Sequence, residues 1–209
     1  MEEQQIKKII YGDKGRVVIQ LESGAELALY RKEIRSLPLE EGELLLREGE
    51  WIPEELYRKI LTSVIGIRAK KRALFLLEQM DRTRQQLREK LERSGYPAEC
   101  VEEAVAYAER YHYIDDFRYA RHYICYHQQK KSRQKLKYDL MQKGVSKDLA
   151  EQALLEVFDS DERQKIRQLL EKRHYNADRA DEREQRRMYQ FLQRRGFRHE
   201  DILNVMQKC

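Results

Sequence analysis

Residues 136–157 read LKYDLMQKGVSKDLAEQALLEV, and this pattern occurs three times along the chain. The segment aligns without a gap with LREKLERSGYPAECVEEAVAYA at 87–108 and with MYQFLQRRGFRHEDILNVMQKC at 188–209. In the three copies Gly95, Gly144 and Gly196 coincide, at separations of 49 and 52 residues. Self-similarity at a nearly constant period is the signature of a repeat architecture.

Each copy carries the local signals of a helix, a sharp turn and a second helix. Two apolar residues four positions apart form one face of a helix, which ends at the glycine in the left-handed conformation. Pro97 and Ser146, which come after two of the glycines, are residues typical of a helix start. A further helix is predicted before each copy, at 68–79, 116–128 and 162–172. The fold class is therefore mainly α, with three tandem three-helix modules that form an elongated array.

The stretch YIDDFRYARHYI at 113–124 introduces the middle module. Asp115 or Asp116 predicts a helix start, because an N-terminal carboxylate accepts backbone N–H groups and favours the positive end of the helix dipole. No His or Glu lies at ligand spacing, so a catalytic or metal-binding aspartate pair is disfavoured. The helix places a wide apolar, largely aromatic arc against neighbours and leaves a basic side that includes Arg118 and Arg121.

The first 30 residues predict a small antiparallel β meander. Segment 16–22 is rich in β-branched residues, 25–30 alternates apolar and smaller side chains, and turn signals lie at 12–15 and 22–24. Segment 31–37 is read as a short helix or a connection, and 39–46 as a returning strand. A piece of this size has a small core, so we expect it to pack against the next part of the chain.

Helical signals begin near Trp51, and Gly66 is read as a break before a second helix opens at Arg68. The predicted organisation comprises a small β-rich segment at 1–50 and three helical modules at 51–112, 113–160 and 161–209.

Composition restricts the classes of function. The segment 1–50 has 8 Lys or Arg against 11 Asp or Glu, whereas the remainder has 34 against 26, so the basic character belongs to the helical part. The absence of a long apolar run and the polar start MEEQQIKK predict a cytoplasmic protein. Three separated cysteines argue against a disulfide framework, and no nucleophile with a base, phosphate loop or metal constellation is visible. We therefore predict a protein without catalytic residues, cofactor or metal.

The motifs resemble those of the RecX family of bacterial recombinase regulators. YIDDFRYA fits the family hallmark through Tyr113, Ile114, Asp115, Asp116, Tyr119 and Ala120, and the elements around Gly144 and Gly196 come after it in the family's order. The resemblance covers about residues 65–209. Two departures affect turn geometry: His112 stands where the family usually has Gly, and Ser132 stands where Gly-Pro is common.

The resemblance implies a binding protein that docks along the RecA filament on single-stranded DNA and reduces ATP hydrolysis, growth and strand exchange. We expect the protein itself to be a monomer. Exposed basic residues in the second module are the first candidates for contact with filament carboxylates or DNA phosphates: Lys130, Lys131, Arg133, Lys135 and Lys137. The wider set adds Lys143, Arg186, Arg187, Arg194, Arg195, Arg198, Arg118 and Arg121. A solvated helix face is the alternative for these charges.

Two other functions stay open at this point. A three-helix unit with a sharp turn also resembles a helix-turn-helix, which favours a nucleic-acid-binding protein or transcriptional regulator, although the basic residues are not concentrated on one helix. A scaffold that does not bind nucleic acid is the third. The aromatic set Tyr107, Tyr111, Tyr119, Tyr123 and Tyr126 could stack bases, but helical spacing favours a place in the core.

Overall fold

The computed structural model describes residues 4–35, 37, 47–158 and 161–207. The chain divides into two compact units, 1–114 and 115–209. The first unit contains the β segment and the first helical module, and the second unit contains the other two modules. The prediction of a strand at 39–46 lies outside the described residues.

An antiparallel sheet forms the N-terminal part of the first unit. Strands β1 (Gln4–Tyr11), β2 (Arg16–Leu21) and β3 (Glu26–Tyr30) pair as the predicted meander, and β4 (Trp51–Ile52) adds to the other side of β1. The helix predicted near Trp51 begins at Glu54, three residues later, because the backbone of Trp51 pairs with Gln5 in the sheet. Helix α1 (Arg31–Arg35) comes after β3, as one of the two readings of this segment predicted.

The sheet and the first helical module share one hydrophobic core. Side chains on one face of the sheet, such as Ile19 and Leu29, belong to the same buried cluster as Leu87 and Val105 of the helices. The Arg68 guanidinium adds a polar link, since it contacts the Glu33 carboxylate at 2.8 Å and donates to the Ala28 carbonyl. The sheet thus obtains its core from the helices of the first module, as its small size predicts.

The helical run that precedes the first repeat is continuous. Helix α2 (Glu54–Lys59) passes through a π-helical segment (Ile60–Gly66) into α3 (Ile67–Gln79). The prediction that Gly66 breaks the helix was wrong, because Gly66 has right-handed helical angles. A Cβ there would lie 2.9 Å from the Leu61 carbonyl oxygen and 3.3 Å from the Glu103 carboxylate, so this glycine permits close packing.

The three repeats each form the predicted three helices. The first module contains α3, α4 (Arg84–Glu92) and α5 (Ala98–Arg110). The second contains α6 (Asp116–His127), α7 (Arg133–Gln142) and α8 (Lys147–Val157). The third contains α9 (Glu162–Glu171), α10 (Glu182–Gln193) and α11 (His199–Met206). Leu91, Leu140 and Leu192, which align in the repeats, are all fully buried.

The repeated glycines adopt the left-handed conformation that the sequence predicts, with φ of 80° at Gly95, 88° at Gly144 and 80° at Gly196. His112, where the family usually has Gly, also has a positive φ, 57°. A left-handed backbone suits glycine because it has no Cβ. The four-part division of the chain proposed from the sequence stays a prediction.

Candidate partner and nucleic-acid interface

The helix that introduces the second module begins as predicted. The Asp115 side chain is the N-cap of α6 and accepts a hydrogen bond of 2.9 Å from the backbone N–H of Arg118. Ala120 and Ile124 are fully buried, so the apolar face of α6 packs in the module core. This arrangement directs Tyr123 towards the first turns of α7, where the candidate basic residues lie.

Tyr123 and Asp139 organise one group of the basic side chains. The Lys131 ammonium donates to the Tyr123 hydroxyl at 2.8 Å and to the Asp139 carboxylate at 2.6 Å. Lys135 contacts the other oxygen of Asp139 at 2.8 Å. The Lys143 ammonium lies 5.3 Å from the centre of the Tyr123 ring, within cation–π range. We call Lys131, Lys135, Asp139 and Tyr123 the Asp139 network.

Titration of the network reflects these contacts. Burial by itself would raise the pKa of Asp139, but hydrogen bonds from Lys131 and Lys135 outweigh it and hold the pKa below its ordinary value. Burial would likewise lower the pKa of Lys131, but hydrogen bonds to Asp139 and Tyr123 hold it above its ordinary value. The pKa of His127 is lowered, first by burial and then by the charge of Lys131. All three shifts favour a charged network beside a neutral imidazole near pH 7.

The remaining basic residues of α7 face a different side. The Lys137 ammonium pairs with the Glu151 carboxylate of α8, and the Arg133 backbone N–H donates to Glu162 at 2.7 Å. The Arg133 guanidinium lies 6.0 Å from the centre of the Phe158 ring. Residues two positions apart point to nearly opposite sides of a helix, whereas residues four apart share a side. Helical geometry thus separates Arg133 and Lys137 from Lys135.

The description of five exposed residues in one basic strip was therefore wrong. Lys130 and Arg133 are exposed, but Lys131, Lys135 and Lys137 are only partly exposed and each contacts a carboxylate. Lys143 is also partly exposed. The carboxylates that pair with these lysines, Asp139 and Glu151, lie outside residues 130–137. That segment read alone therefore shows five basic residues and no acid. Whether these residues contact a partner stays a prediction.

In the third module, one of the predicted basic residues, Arg195, packs against an aromatic ring. The guanidinium carbons of Arg173 and Arg195 lie 3.8 and 3.6 Å from the centre of the Phe191 ring. Burial lowers the pKa of Arg195, and the charges of Arg173 and Arg194 lower it further. Arg194 is exposed and donates to the Gln190 carbonyl at 3.3 Å, while Arg198 is the exposed N-cap residue of α11.

Four other predicted residues lie on helix surfaces. Arg186 and Arg187 contact Glu182 and Glu184 at 3.6 and 3.5 Å, which are exposed pairs that contribute little to stability. On α6, Arg121 contacts the Glu156 carboxylate at 3.1 Å, and Arg118 is exposed.

The expectation that the tyrosines form core was wrong for two of the five. Tyr107, Tyr119 and Tyr123 are partly buried, whereas Tyr111 is 56% exposed and Tyr126 is 79% exposed. Tyr126 lies two positions after the buried Ile124, so helix rotation carries it to the solvent side.

Sequence reasoning missed a junction between the second and third modules. Ser132 is fully buried, and its hydroxyl donates to the Gly196 carbonyl at 2.6 Å while it accepts from the Lys135 N–H at 3.1 Å. The Ser132 N–H also donates to the Arg195 carbonyl at 3.1 Å. The turn after α10 therefore docks on the start of α7. The N-capping role of Ser132 had a local signal, but its partner 64 residues away had none.

Lys165 is the second residue that sequence reasoning missed. Its side chain is buried, its ammonium has no hydrogen-bond partner among the described residues, and it lies 4.1 Å from the centre of the Phe158 ring. Burial lowers the pKa of Lys165. Its position directly before Ile166, on the buried side of α9, is the only local signal for this location.

Substitution Lys165→Met should stabilise the protein. Removal of a buried, unpartnered charge is expected to raise the free energy of unfolding by about 1–2 kcal/mol at pH 7. Because the folded pKa lies below the unfolded value, wild-type stability should rise as pH climbs from the folded pKa towards about 10.4, so the gain should shrink there. Urea unfolding at pH 7 and pH 10 measures both effects.

The matched control is Arg167→Met, an exposed position on the same helix. That change should alter the free energy of unfolding by less than about 0.5 kcal/mol. Equal effects of the two substitutions would contradict the buried, unpartnered state of Lys165.

The described residues meet neither the requirements of a metal site nor those of a membrane-spanning helix. Over the described ranges, no group of three or more His, Cys, Asp or Glu side chains is arranged to hold a metal ion. In the same part of the chain, none of the helices combines the length and apolarity that a membrane span requires.

Comparison with known families matches the three modules in order. The first, second and third three-helix domains of RecX match residues 69–107, 115–154 and 160–206. The chain belongs to the RecX family. Its fold comprises three RecX helical domains, preceded by the small antiparallel sheet that the first 30 residues predicted.

Individual relatives agree with this assignment. The "Regulatory protein RecX" of Caldanaerobacter subterraneus subsp. tengcongensis is 31% identical over 159 residues, which cover 75% of this chain and 78% of the relative. The protein of the same name from Trichlorobacter lovleyi is 37% identical over 141 residues, 65% of this chain and 92% of the relative. RecX relatives are thus described as regulatory proteins.

Solved RecX structures share the fold. One crystal structure of regulatory protein RecX superposes with a TM-score of 0.59 and 23% identity, over 97% of this chain and 98% of that one. RecX from Lactobacillus salivarius gives a TM-score of 0.57 at 23% identity, over 70% and 97% of the two chains. The likeness to the first extends over both the sheet and the helical modules.

Proposed function

We propose that this protein binds the RecA filament on single-stranded DNA and lowers its ATP hydrolysis, growth and strand exchange, and so modulates recombination and DNA repair. The observation that carries the proposal is the match of all three RecX three-helix domains in their family order. The role is one of binding, without a catalytic step. It places the protein in the cytoplasm with RecA, and we propose that it acts as a monomer.

A chain of repeated modules suits a filament as its partner. Each module can contact a different protomer, and linked weak contacts reinforce one another through a high effective concentration. The exposed cations of the second unit can meet filament carboxylates or DNA phosphates. Those with few internal contacts are the best candidates: Lys130, Arg133, Arg194 and Arg198.

The test is the DNA-dependent ATPase rate of the cognate RecA on single-stranded DNA, titrated with this protein. We expect inhibition at well below one regulator per RecA. A variant with four exposed cations changed to alanine should inhibit less. It loses both long-range electrostatic attraction to the filament and the direct contacts of the charged side-chain ends. The four changed residues are Lys130, Arg133, Arg194 and Arg198.

A second variant controls for total charge, with alanine at Lys147, Arg167, Lys172 and Arg183, which are also exposed in the second unit. Equal inhibition by both variants would mean that the contact surface lies at other residues, and the proposed function would stand. No inhibition by the wild-type protein at any ratio would refute it.

Direct nucleic-acid binding is the second candidate, favoured by exposed Tyr126 and Tyr138 on the same module as the basic residues. Tight binding to bare DNA, without a preference for the RecA filament, would support it. Contact with single-strand phosphates should then give a log–log salt slope of about 0.7 for each phosphate neutralised. Insensitivity to both DNA and filament would leave a scaffold role.

A further inference from the structure

A groove of about 600 Å³ lies within the second unit, between helices of its two modules. Helices α7 and α8 supply one side, and the start of α9 and the Gly196 turn supply the other. Its apolar surface comes from Leu154, Leu155 and Phe158. A concavity of this volume is within the range that accommodates one or two large side chains of a bound peptide.

Leu155 is the feature of the groove that folding does not explain. It is 75% exposed, although its neighbour Leu154 is 1% exposed and belongs to the module core. Leu155 and Phe158 both line the groove and supply apolar surface there. Such a surface in a concave setting is typical of a position that a partner's apolar side chain covers.

The charges around the groove favour an anionic partner. Lys137 is neutralised by Glu151, and Glu162 accepts the Arg133 backbone N–H. Within residues 4–35, 37, 47–158 and 161–207, no carboxylate forms an ion pair with the guanidinium of Arg133 or Arg198. The groove lining thus carries three cations, Arg133, Lys137 and Arg198, against the two carboxylates of Glu151 and Glu162, and the buried Lys165 ammonium beside the Phe158 ring adds a further positive charge. A charge in surroundings of low polarity acts over a longer range than one in water.

We propose that this groove binds an acidic segment of the partner protein, which places a large apolar side chain against Leu155 and Phe158 and its carboxylates at Arg133 and Arg198. The identification of that partner with RecA rests on the proposed function. A nucleic-acid backbone is a poorer occupant, because its phosphates would meet the arginines but leave the leucine and phenylalanine uncovered. A peptide with both kinds of side chain satisfies both parts of the groove.

The buried, unpartnered state of Lys165 agrees with this role. A buried charge without a hydrogen-bond partner lowers stability, so a methionine would serve the fold better. The positive charge of this ammonium would attract an anion bound in the groove. We therefore expect Lys165→Met to bind the acidic segment more weakly even though it is more stable.

The experiment measures binding of the full chain to a fluorescent peptide of Glu and Asp with a central Leu-Phe pair. A second peptide, with Ser in place of Leu-Phe, has the same charge. Loss of one well-buried apolar contact corresponds to an affinity about tenfold lower or more. We expect that loss for the Ser peptide and for the Leu155→Glu variant, whereas Leu155→Met should bind as the wild type does.

The control variant is Phe75→Glu, which alters a 49% exposed aromatic residue of the first unit and should leave peptide binding unchanged. Circular dichroism verifies that each variant is folded. Equal peptide affinity of wild type and Leu155→Glu would overturn the proposal. So would competition by an oligo(dT) strand whose own binding is lost in Leu155→Glu, since the groove would then bind nucleic acid.

The RecA ATPase assay separates this inference from the proposed function. Full inhibition by both wild type and Leu155→Glu would overturn the groove as the docking site and leave the proposed function intact. Absence of inhibition by the wild type, together with groove-dependent peptide binding, would reject RecA as partner and support the acidic segment as ligand.

Discussion

Substitution Gly196→Ala should destabilise the 115–209 unit by about 2–5 kcal/mol, from backbone strain and overpacking together. Gly196 has a φ of 80°, where an L residue is strained. A Cβ at this position would also lie 2.7 Å from the Lys135 Cβ and 2.8 Å from the Ser132 hydroxyl. The turn would have to withdraw from α7, which weakens the hydrogen bonds that Ser132 makes to it. Hydrogen exchange measured by mass spectrometry should show faster exchange in α7 and in the turn after α10.

Gly95→Ala is the matched control for this prediction. Gly95 has the same φ of 80° in the equivalent turn, but a Cβ there meets nothing within 4 Å. Only the backbone strain remains, so the expected loss is about 1–2 kcal/mol. Equal losses for the two glycines would mean that the turn does not dock on α7 in solution.

Substitution Asp139→Ala should lower the free energy of unfolding by about 1–3 kcal/mol, because it leaves partly buried charges without their partner. The side chains of Asp139, Lys131 and Lys135 are 14%, 25% and 32% exposed, so solvent screens the network only in part. Lys131 and Lys135 would then repel each other across the vacated position. Urea unfolding at neutral pH measures the loss.

The control for the Asp139 network is Glu156→Ala. Glu156 pairs with Arg121 at 3.1 Å, but both side chains are nearly half exposed, so the expected change is less than about 1 kcal/mol. An equally small effect of Asp139→Ala would show that the network contributes no more than a surface ion pair.

The free energy of unfolding should depend on pH in the direction that the pKa shifts of Asp139 and Lys131 set. The folded pKa of Asp139 is lowered, so its contribution is present above the unfolded value of about 3.9 and is lost as pH falls through the folded pKa. The folded pKa of Lys131 is raised, so its contribution is present below about 10.4 and is lost as pH rises through the folded pKa. In Asp139→Ala both dependences should weaken.

The sequence by itself determined the elements that depend on near neighbours along the chain. The N-caps at Asp115 and Ser146, the left-handed turns at Gly95, Gly144 and Gly196, and the buried leucines of the repeats were all predicted correctly. These features depend on backbone geometry and on side chains three or four positions apart, which the sequence displays directly. The family motifs have the same local character.

Only the tertiary structure decided which charges and close contacts the modules use. Gly66 was read as a helix break, yet its role depends on Glu103, which α5 brings to it. Residues 130–137 were read as one basic strip, yet Lys135 pairs with Asp139 and Lys137 pairs with Glu151 on another side of helix α7. Ser132 meets Gly196 only because two modules pack together. In each case the deciding partner is distant in sequence or on another helix face, and its distance is set by packing, which local patterns do not encode.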